Sequence, residues 1–340
     1  MTAIKTKFTE KYGLDTPIAQ AGMAFAGMTP DLGIAVSNAG AMGAIAGVGI
    51  LPPEAVRMLV AGTQAGTDKP FHVNFITIYC TDAHIDLMCE IKPRAVSFHW
   101  GDPGQNWIDR LHDAGIDVWE QVGSAEAAAR AADQGVDVII AQGAEAGGHN
   151  FGDAGTIVSV PAVRDAVGDR ALVLASGGIV DGRGIAAALM LGADGVWMGT
   201  RFVASAEAAA ADEYKQRILA TGPGGTTLTH VFGRNDPRFN PMRVIANPVS
   251  DAWEDRIADI PADTSDQPPL GRMEMLGQET PLFPFTSLVP MTGATGDLEQ
   301  LPMLAGQGAA LIDEVRGAAD LVAELTKEAR ACLGQAGQML

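Results

Sequence analysis

Short apolar runs recur along the chain between residues 17 and 198, and each gives way to a glycine, a serine or a polar turn. The runs fall at 17–22, 41–48, 71–76, 95–101, 117–122, 136–140, 171–175 and 195–198. Runs of this length bounded by turn residues read as strands buried on both faces. Stretches with helical spacing separate them. Thr29 caps one helix with Pro30 at its first position and a stop at 38–40, and a second covers 52–65. Others are predicted at 82–90 and 105–114, from the Ser124 cap to 134–135, at 161–167 behind Pro161, and from Asp181 to 191, with a further Ala- and Glu-rich helix after Thr200. Strands alternating with helices pair in parallel, and eight such units are the number that closes a (β/α)8 TIM barrel. A doubly wound open sheet is the alternative, disfavoured because no Gly-x-Gly-x-x-Gly follows the first strand.

The pattern changes near residue 210. Residues 221–226 form a Gly- and Pro-rich break, and 235–288 are rich in Pro, Asp and Met with weak periodicity. They predict an irregular, partly helical region capping the barrel mouth. Residues 307–332 place Leu311, Ile312, Val315, Leu321 and Leu325 at helical spacing, which predicts a long amphipathic helix packed back on the barrel. The expected division is a barrel over 1–210, a small cap over 211–305 and a C-terminal helix over 306–340.

The 340 residues are 19% charged and carry a formal net charge of −18, which sets aside disorder and argues against nucleic acid or an anionic membrane as partner. Cys80, Cys89 and Cys332 are odd in number and lack metal-type spacing, so reduced thiols in a cytoplasmic protein are expected. Residues 1–15 lack the apolar core of a secretory signal, and no apolar run reaches bilayer length.

Chemistry concentrates where the strands end. The run 136–140 leads into Ala141-Gln142-Gly143-Ala144-Glu145-Ala146-Gly147-Gly148-His149-Asn150, which sets an imidazole at the C-terminal end of a barrel strand. That end is where TIM barrels do chemistry. Glycines there let backbone approach a flat ligand. Ser176-Gly177-Gly178 and Gly199-Thr200 follow strands seven and eight, where many barrels hold phosphate on backbone N–H groups; ordinary tight turns are the alternative. Gly22, Met23 and Ala24 after strand one, Asn74 on strand three and Gln142 face the same mouth. His149 suits proton transfer near neutral pH, His99 is either a core histidine or a pocket residue, and Glu145 reads as a carboxylate holding loop N–H groups. Glu145 and His149 lie in a Gly-rich loop, and no metal site is expected.

Residues 142–149 resemble the signature of the FMN-dependent nitronate monooxygenases, formerly called 2-nitropropane dioxygenases. Residues 17–23, 35–40, 95–101, 175–202 and 305–308 are similar to the same family, and Val96-Ser97-Phe98-His99 favours its class I. The resemblance covers residues 5–210 well and the remainder in patches. It implies FMN held by Gly22, Met23, Ala24, Asn74, Gln142, Gly148, Ser176, Gly177, Gly178, Gly199 and Thr200, with His149 as catalytic base. The reaction it implies is oxidation of an alkyl nitronate by O2 to a carbonyl compound and nitrite. The alternatives are NAD(P)H-dependent reduction of a quinone or an enoyl thioester, as in related flavoenzymes, and a flavin-binding protein without catalysis. Partners are then a small-molecule substrate with O2 or NAD(P)H, and a homo-oligomer is left open. Two departures from class I stand out. Gln20-Ala21-Gly22-Met23 has Gly where that class has Pro, and Phe283, Phe285 and Met291 replace its tyrosines and lysine. With His99, Phe283 and Met291 are therefore the candidate substrate contacts, and they suit a more apolar substrate.

Overall fold

The protein is described from a computed structural model covering residues 3–46, 49–233, 241–275 and 277–339. Eight parallel strands form the barrel: β1 (Ile18–Gln20), β2 (Gly43–Ala46), β3 (Phe71–Ile76), β4 (Ala95–His99), β5 (Asp117–Val122), β6 (Val138–Gln142), β8 (Leu172–Ser176) and β9 (Gly195–Met198). The remaining short strand between them, β7 (Gly148–His149), lies outside the ring. Neighbours pair in sequence order, and β9 returns to β1 with Ile18 opposite Val196. The ring closes at β1 and β2, where Gln20 N donates to Met42 O and Met42 N to Ile18 O, both at 2.9 Å. The first expected strands match closely, and the part of the second run at 47–48 lies outside the described residues.

Side chains alternate across each strand, so every second residue enters the lumen. His72 of β3, Trp119 of β5 and Trp197 of β9 meet there, with the imidazole centroid 5.0 Å and 4.8 Å from the two indoles. Below them α1 (Lys7–Tyr12) plugs the N-terminal end: Phe8 is fully buried against Trp119, whose Nε1 donates to Tyr12 Oη at 2.8 Å. Burial holds the His72 imidazole down at about 4, so it is a neutral part of this floor. With the lower lumen filled by these side chains, a cleft opens above them, at the strand C-termini.

Outward-facing residues pack beneath the helices α2 (Pro30–Asn38), α3 (Pro53–Gly66), α4 (Asp82–Ile91), α5 (Gln105–Asp113), α6 (Ala125–Asp133), α7 (Thr156–Val167) and α8 (Gly182–Met190). Glu120 of β5 is one of them, 2% exposed beneath α6, with Arg130 Nη2 donating to its Oε1 at 2.9 Å. Burial outweighs Arg130 and raises its carboxyl from the ordinary 4.5 to about 7. The folded protein therefore binds this proton more tightly than the unfolded chain, and stability falls as pH rises from about 4.5 to about 7, then levels. Glu120→Gln removes the titration, so its stability relative to the wild type should climb through that window. Denaturant unfolding at several pH values checks this; parallel stability curves would refute it.

Three expected helices are revised. The helix placed at 161–167 begins five residues earlier, at Thr156, because the Glu145 carboxylate accepts from Thr156 N at 2.9–3.0 Å and from its hydroxyl at 2.9 Å. Pro161 therefore sits inside the helix instead of opening it. After β9 there is only the single turn α9 (Thr200–Val203), and the Ala-rich stretch to Ala211 runs irregularly to α10 (Asp212–Leu219). The amphipathic segment 307–332 is broken: a 3-10 turn spans Gln307–Leu311, residues 312–317 are not helical, and the long helix starts only at Ala318 and ends at Gly337. It does pack on the barrel, against α8 and α2, burying Leu321 and Leu325, whereas Leu311 is exposed.

The region after 220 is more β than expected. β10 (Thr226–Thr229), β11 (Met242–Ile245) and β7 form one antiparallel sheet, and β12 (Gly271–Met275), β13 (Gln278–Leu282) and β14 (Thr295–Gly296) form another. The helical part is α11 (Pro248–Trp253), capped by Asn247, with a 3-10 turn behind it. Among the described residues, no helix is long and apolar enough to cross a membrane.

Candidate active site

A cleft of about 240 Å³ opens at the C-terminal end of the barrel. Its base is the top layer of lumen residues: Asn74 and Ile76 of β3, His99 of β4, Gln121 of β5, Gln142 of β6 and Ser176 of β8. The lumen thus changes from apolar below to polar at the mouth. Ile50, Ile179, Val203, Leu288, Val289 and Leu304 supply apolar walls. Among the described residues, no charged side chain lines the cleft.

The loop after β6 folds on its own polar side chains. Asn150 Nδ2 donates to the carbonyls of Gly143, Ala144 and Ala146, and its Oδ1 accepts from Gly152 N at 2.7 Å. Gln142 Nε2 donates to His149 O at 2.9 Å, while Phe151 N donates to Gln142 Oε1 at 3.1 Å. Both ends of the Gln142 amide thus hold the loop, although the side chain still lines the cleft. Gly148 and His149 pair as β7 with Met242 and Arg243 of β11, and Arg243 Nε donates to Ala144 O at 3.1 Å. These bonds hold His149 at the cleft wall, 9% exposed.

Gly147 lines the cleft and also marks a close backbone crossing. A Cβ on it would lie 2.4 Å from Gly306 N and 2.5 Å from Ala305 C, so here two backbones cross. The segment 305–308 threads between the strand-end loops: Gly306 N donates to Thr200 Oγ1 at 3.0 Å, and Gln307 N to Glu145 O at 2.9 Å. It ties the loop after β6 to the loop after β9.

The turns after β8 and β9 offer donors. Among the described residues, the N–H groups of Gly177, Gly178, Gly199 and Thr200 have no protein acceptor, and all four residues line the cleft. Gly177 and Gly178 have φ of 116° and 70°, a left-handed pair that turns successive N–H groups into a concave cradle. Ser176 adds a buried hydroxyl-bearing side chain. Across the cleft, Gly22 gives room to Asn74, since a Cβ on it would fall 2.0 Å from Asn74 Cγ. Asn74 Nδ2 donates to Ser97 Oγ at 2.9 Å, which fixes the amide. Met23 and Ala24 line the adjoining rim.

The structure therefore gathers Gly22, Met23, Ala24, Asn74, Gln142, Gly148, His149, Ser176, Gly177, Gly178, Gly199, Thr200 and His99 around one cleft. Phe283 and Met291 are not there. Phe283 lines a separate groove with Ile260 and Thr264, and Met291 bridges Ala210 beside the core. Ser287, Leu288 and Val289 face the cleft instead. Burial lowers the His99 imidazole to about 4, so it is neutral at ordinary pH, and its Nε2 is buried without a partner among the described residues. Gln121, Tyr79 and Tyr214 were missed by sequence reasoning. For Gln121 a signal existed: it follows Trp119 on the lumen face of β5.

Fold and site together define a TIM-barrel enzyme with a backbone cradle after the last two strands and a histidine beside an apolar cleft. The chain belongs to the nitronate monooxygenase family: the family model, described as nitronate monooxygenase, matches residues 76–328. A nitronate monooxygenase of Pseudomonas aeruginosa is 32% identical over 95% of this chain and 99% of its own length. A (3aS,4S,5R,7aS)-5-hydroxy-7a-methyl-1-oxo-octahydro-1H-indene-4-carboxyl-CoA dehydrogenase of Rhodococcus jostii is 39% identical over 67% of this chain, and the match spans only 64% of that relative. The solved structure of FabK from Thermotoga maritima superposes with a TM-score of 0.82 at 31% identity, covering 99% of this chain and 100% of that one.

Proposed function

We propose that the protein is an FMN-dependent nitronate monooxygenase that oxidises alkyl nitronates with O2 to a carbonyl compound and nitrite. Enzymes of this family are flavin-dependent oxidoreductases. The observation that carries the FMN assignment is the cradle of four unpaired N–H donors after β8 and β9, the place and chemistry of a phosphate site. The phosphate would rest on Gly177, Gly178, Gly199 and Thr200 with Ser176. The ring system would lie against Gly22, Met23, Ala24 and Gly148, near the fixed amides of Asn74 and Gln142. A flavin bound there supplies a reversible electron acceptor that O2 can recharge.

The chain's own residues do the rest. His149 takes the α-carbon proton of a neutral nitroalkane and leaves the nitronate anion; with a pre-formed nitronate it orients the anion. Neutral His99 offers a hydrogen bond without charge. The apolar walls exclude water and favour a substrate with hydrocarbon flanks. A second reading, NAD(P)H-dependent reduction of a quinone or an enoyl thioester, is favoured by one observation: no described residue gives the cleft a fixed cation for a small anion.

Two measurements test the cofactor. The purified protein should be yellow and release FMN, not FAD, on denaturation; FAD in the mass spectrum would refute the assignment. Gly199→Ala tests the cradle. At φ −105°, with Ala21 Cβ at 3.5 Å as the nearest protein atom, the protein itself has room for the methyl group. A clash with bound phosphate of about 1–3 kcal/mol corresponds to about 5–150-fold weaker FMN binding. Unchanged affinity would make the turn ordinary. Gly177→Val is less telling, because φ of 116° and Thr156 Oγ1 at 2.8 Å strain it without any ligand.

A further inference from the structure

Trp100 stands just beyond β4, between the two histidines of the cleft. Its backbone φ is 69°, a left-handed conformation that a bulky side chain rarely adopts. The turn is clamped from β3's end: Thr77 Oγ1 is placed to donate to His99 O at 3.1 Å and to Gly101 O at 3.2 Å, the carbonyls on either side of Trp100. This turn carries the indole behind the cleft wall, where it is 1% exposed. Its ring centroid is 3.8 Å from that of His149, with the planes 41° apart, and 5.4 Å from that of His99 at 25°. The Phe151 ring centroid lies 5.3 Å from that of the indole. His99 and His149 line the cleft, and Trp100 is not among the described residues that do.

We propose that Trp100 is a positioning residue that fixes the orientation of the His149 imidazole, and that Thr77 sets it in place through the strained turn. Backbone strain of this kind persists only where the surroundings over-determine it, and it gathers at functional sites. Here the indole that the strained residue presents touches the His149 imidazole most closely and stays off the cleft surface, so its effect on turnover passes through His149 or through His99, and the double variant with His149→Ala separates the two. The inference rests on the reading of His149 as the base, and deepens it.

The test compares a neutral nitroalkane with its pre-formed nitronate in Trp100→Gly, Trp100→Phe, Thr77→Val, His149→Ala and the double variant Trp100→Gly/His149→Ala, each with flavin content and melting temperature recorded. Glycine adopts the left-handed turn freely, so Trp100→Gly removes the indole and keeps the backbone path. Misplacing a reacting group by about 1 Å costs up to about 10²-fold. Trp100→Gly should therefore lose about 10–100-fold in kcat/KM on the nitroalkane and much less on the nitronate. Trp100→Phe should recover most of the loss. Thr77→Val, which keeps every ring, should show the same substrate pattern at smaller size. The double variant should be no slower than His149→Ala alone, because groups acting as one unit do not add. Equal losses on both substrates in the Trp100 and Thr77 variants, or a double variant slower than His149→Ala by the full single-site factor, would overturn the proposal. A His149→Ala protein with unchanged nitroalkane turnover would instead sink the base itself, an outcome read from the single variant alone.

Discussion

His149→Ala is expected to slow turnover of a neutral nitroalkane by about 10²–10⁴-fold while the protein keeps its flavin. The imidazole lines the cleft from β7, and the cradle lies in the turns after β8 and β9, so the substitution removes a proton acceptor and no phosphate contact. Most of the backbone order around His149 is independent of its side chain. Gln142 holds its carbonyl, β11 pairs its strand, and Asn150 ties the loop together. The loop should stay in place after the ring is gone. With a pre-formed nitronate the α-carbon proton has already left, so the loss should be much smaller. Steady-state rates on the two substrates, with flavin absorbance as a control, decide the matter. Equal small losses would leave His149 as a structural residue, and unchanged rates on both would remove it from the chemistry.

Gly147→Ala should release the flavin by a different route. The added methyl group would lie 2.4 Å from Gly306 N and 2.9 Å from Ala305 Cα, and backbone on both sides cannot give way cheaply. A Cβ on Gly306 would meet the same crossing from the other side, 2.6 Å from Glu145 O. Gly147 is not in a left-handed conformation, so the effect is steric alone. Pushing residues 305–308 outward breaks the donation from Gly306 to Thr200 and that from Gln307 to Glu145. Overpacking of about 1–3 kcal/mol corresponds to about 5–150-fold in FMN affinity where the strain is borne by the bound state. Thermal melting with and without added FMN measures both parts. Wild-type melting and wild-type affinity would mean the crossing has slack.

The barrel was legible because parallel strands buried on both faces leave an unmistakable trace. The runs at 71–76, 117–122 and 195–198 coincide with β3, β5 and β9 to the residue. The site was legible where chemistry sits next to a strand in sequence, as with His149, Ser176 and Gly199. What sequence reasoning lost is non-local. Glu145 starts α7 from eleven residues away, and that bond outweighs the local signal of Pro161. Within the break at 312–317, Arg316 pairs with Ser205, more than a hundred residues earlier in the chain, a contact that local spacing does not carry. Gly147 lines the cleft as expected of a strand-end glycine, but its need for glycine comes from the backbone of Gly306, a partner that no local pattern reveals. Phe283 and Met291 carried the apolar character of the cap correctly but not its direction, and Leu288 and Val289 from the same segment reach the cleft instead.

The most direct test of the central claim is a pair of mixing experiments with the yellow protein, one with an alkyl nitronate and one with NADH, each read by flavin absorbance without air and by O2 uptake and nitrite release with it. The nitronate should change the flavin spectrum without air, and in air should drive O2 consumption with nitrite and a carbonyl product, while NADH leaves the colour unchanged over the same time. Rapid anaerobic bleaching by NADH, with no spectral change and no nitrite from the nitronate, would contradict the assignment and make the protein a reductase.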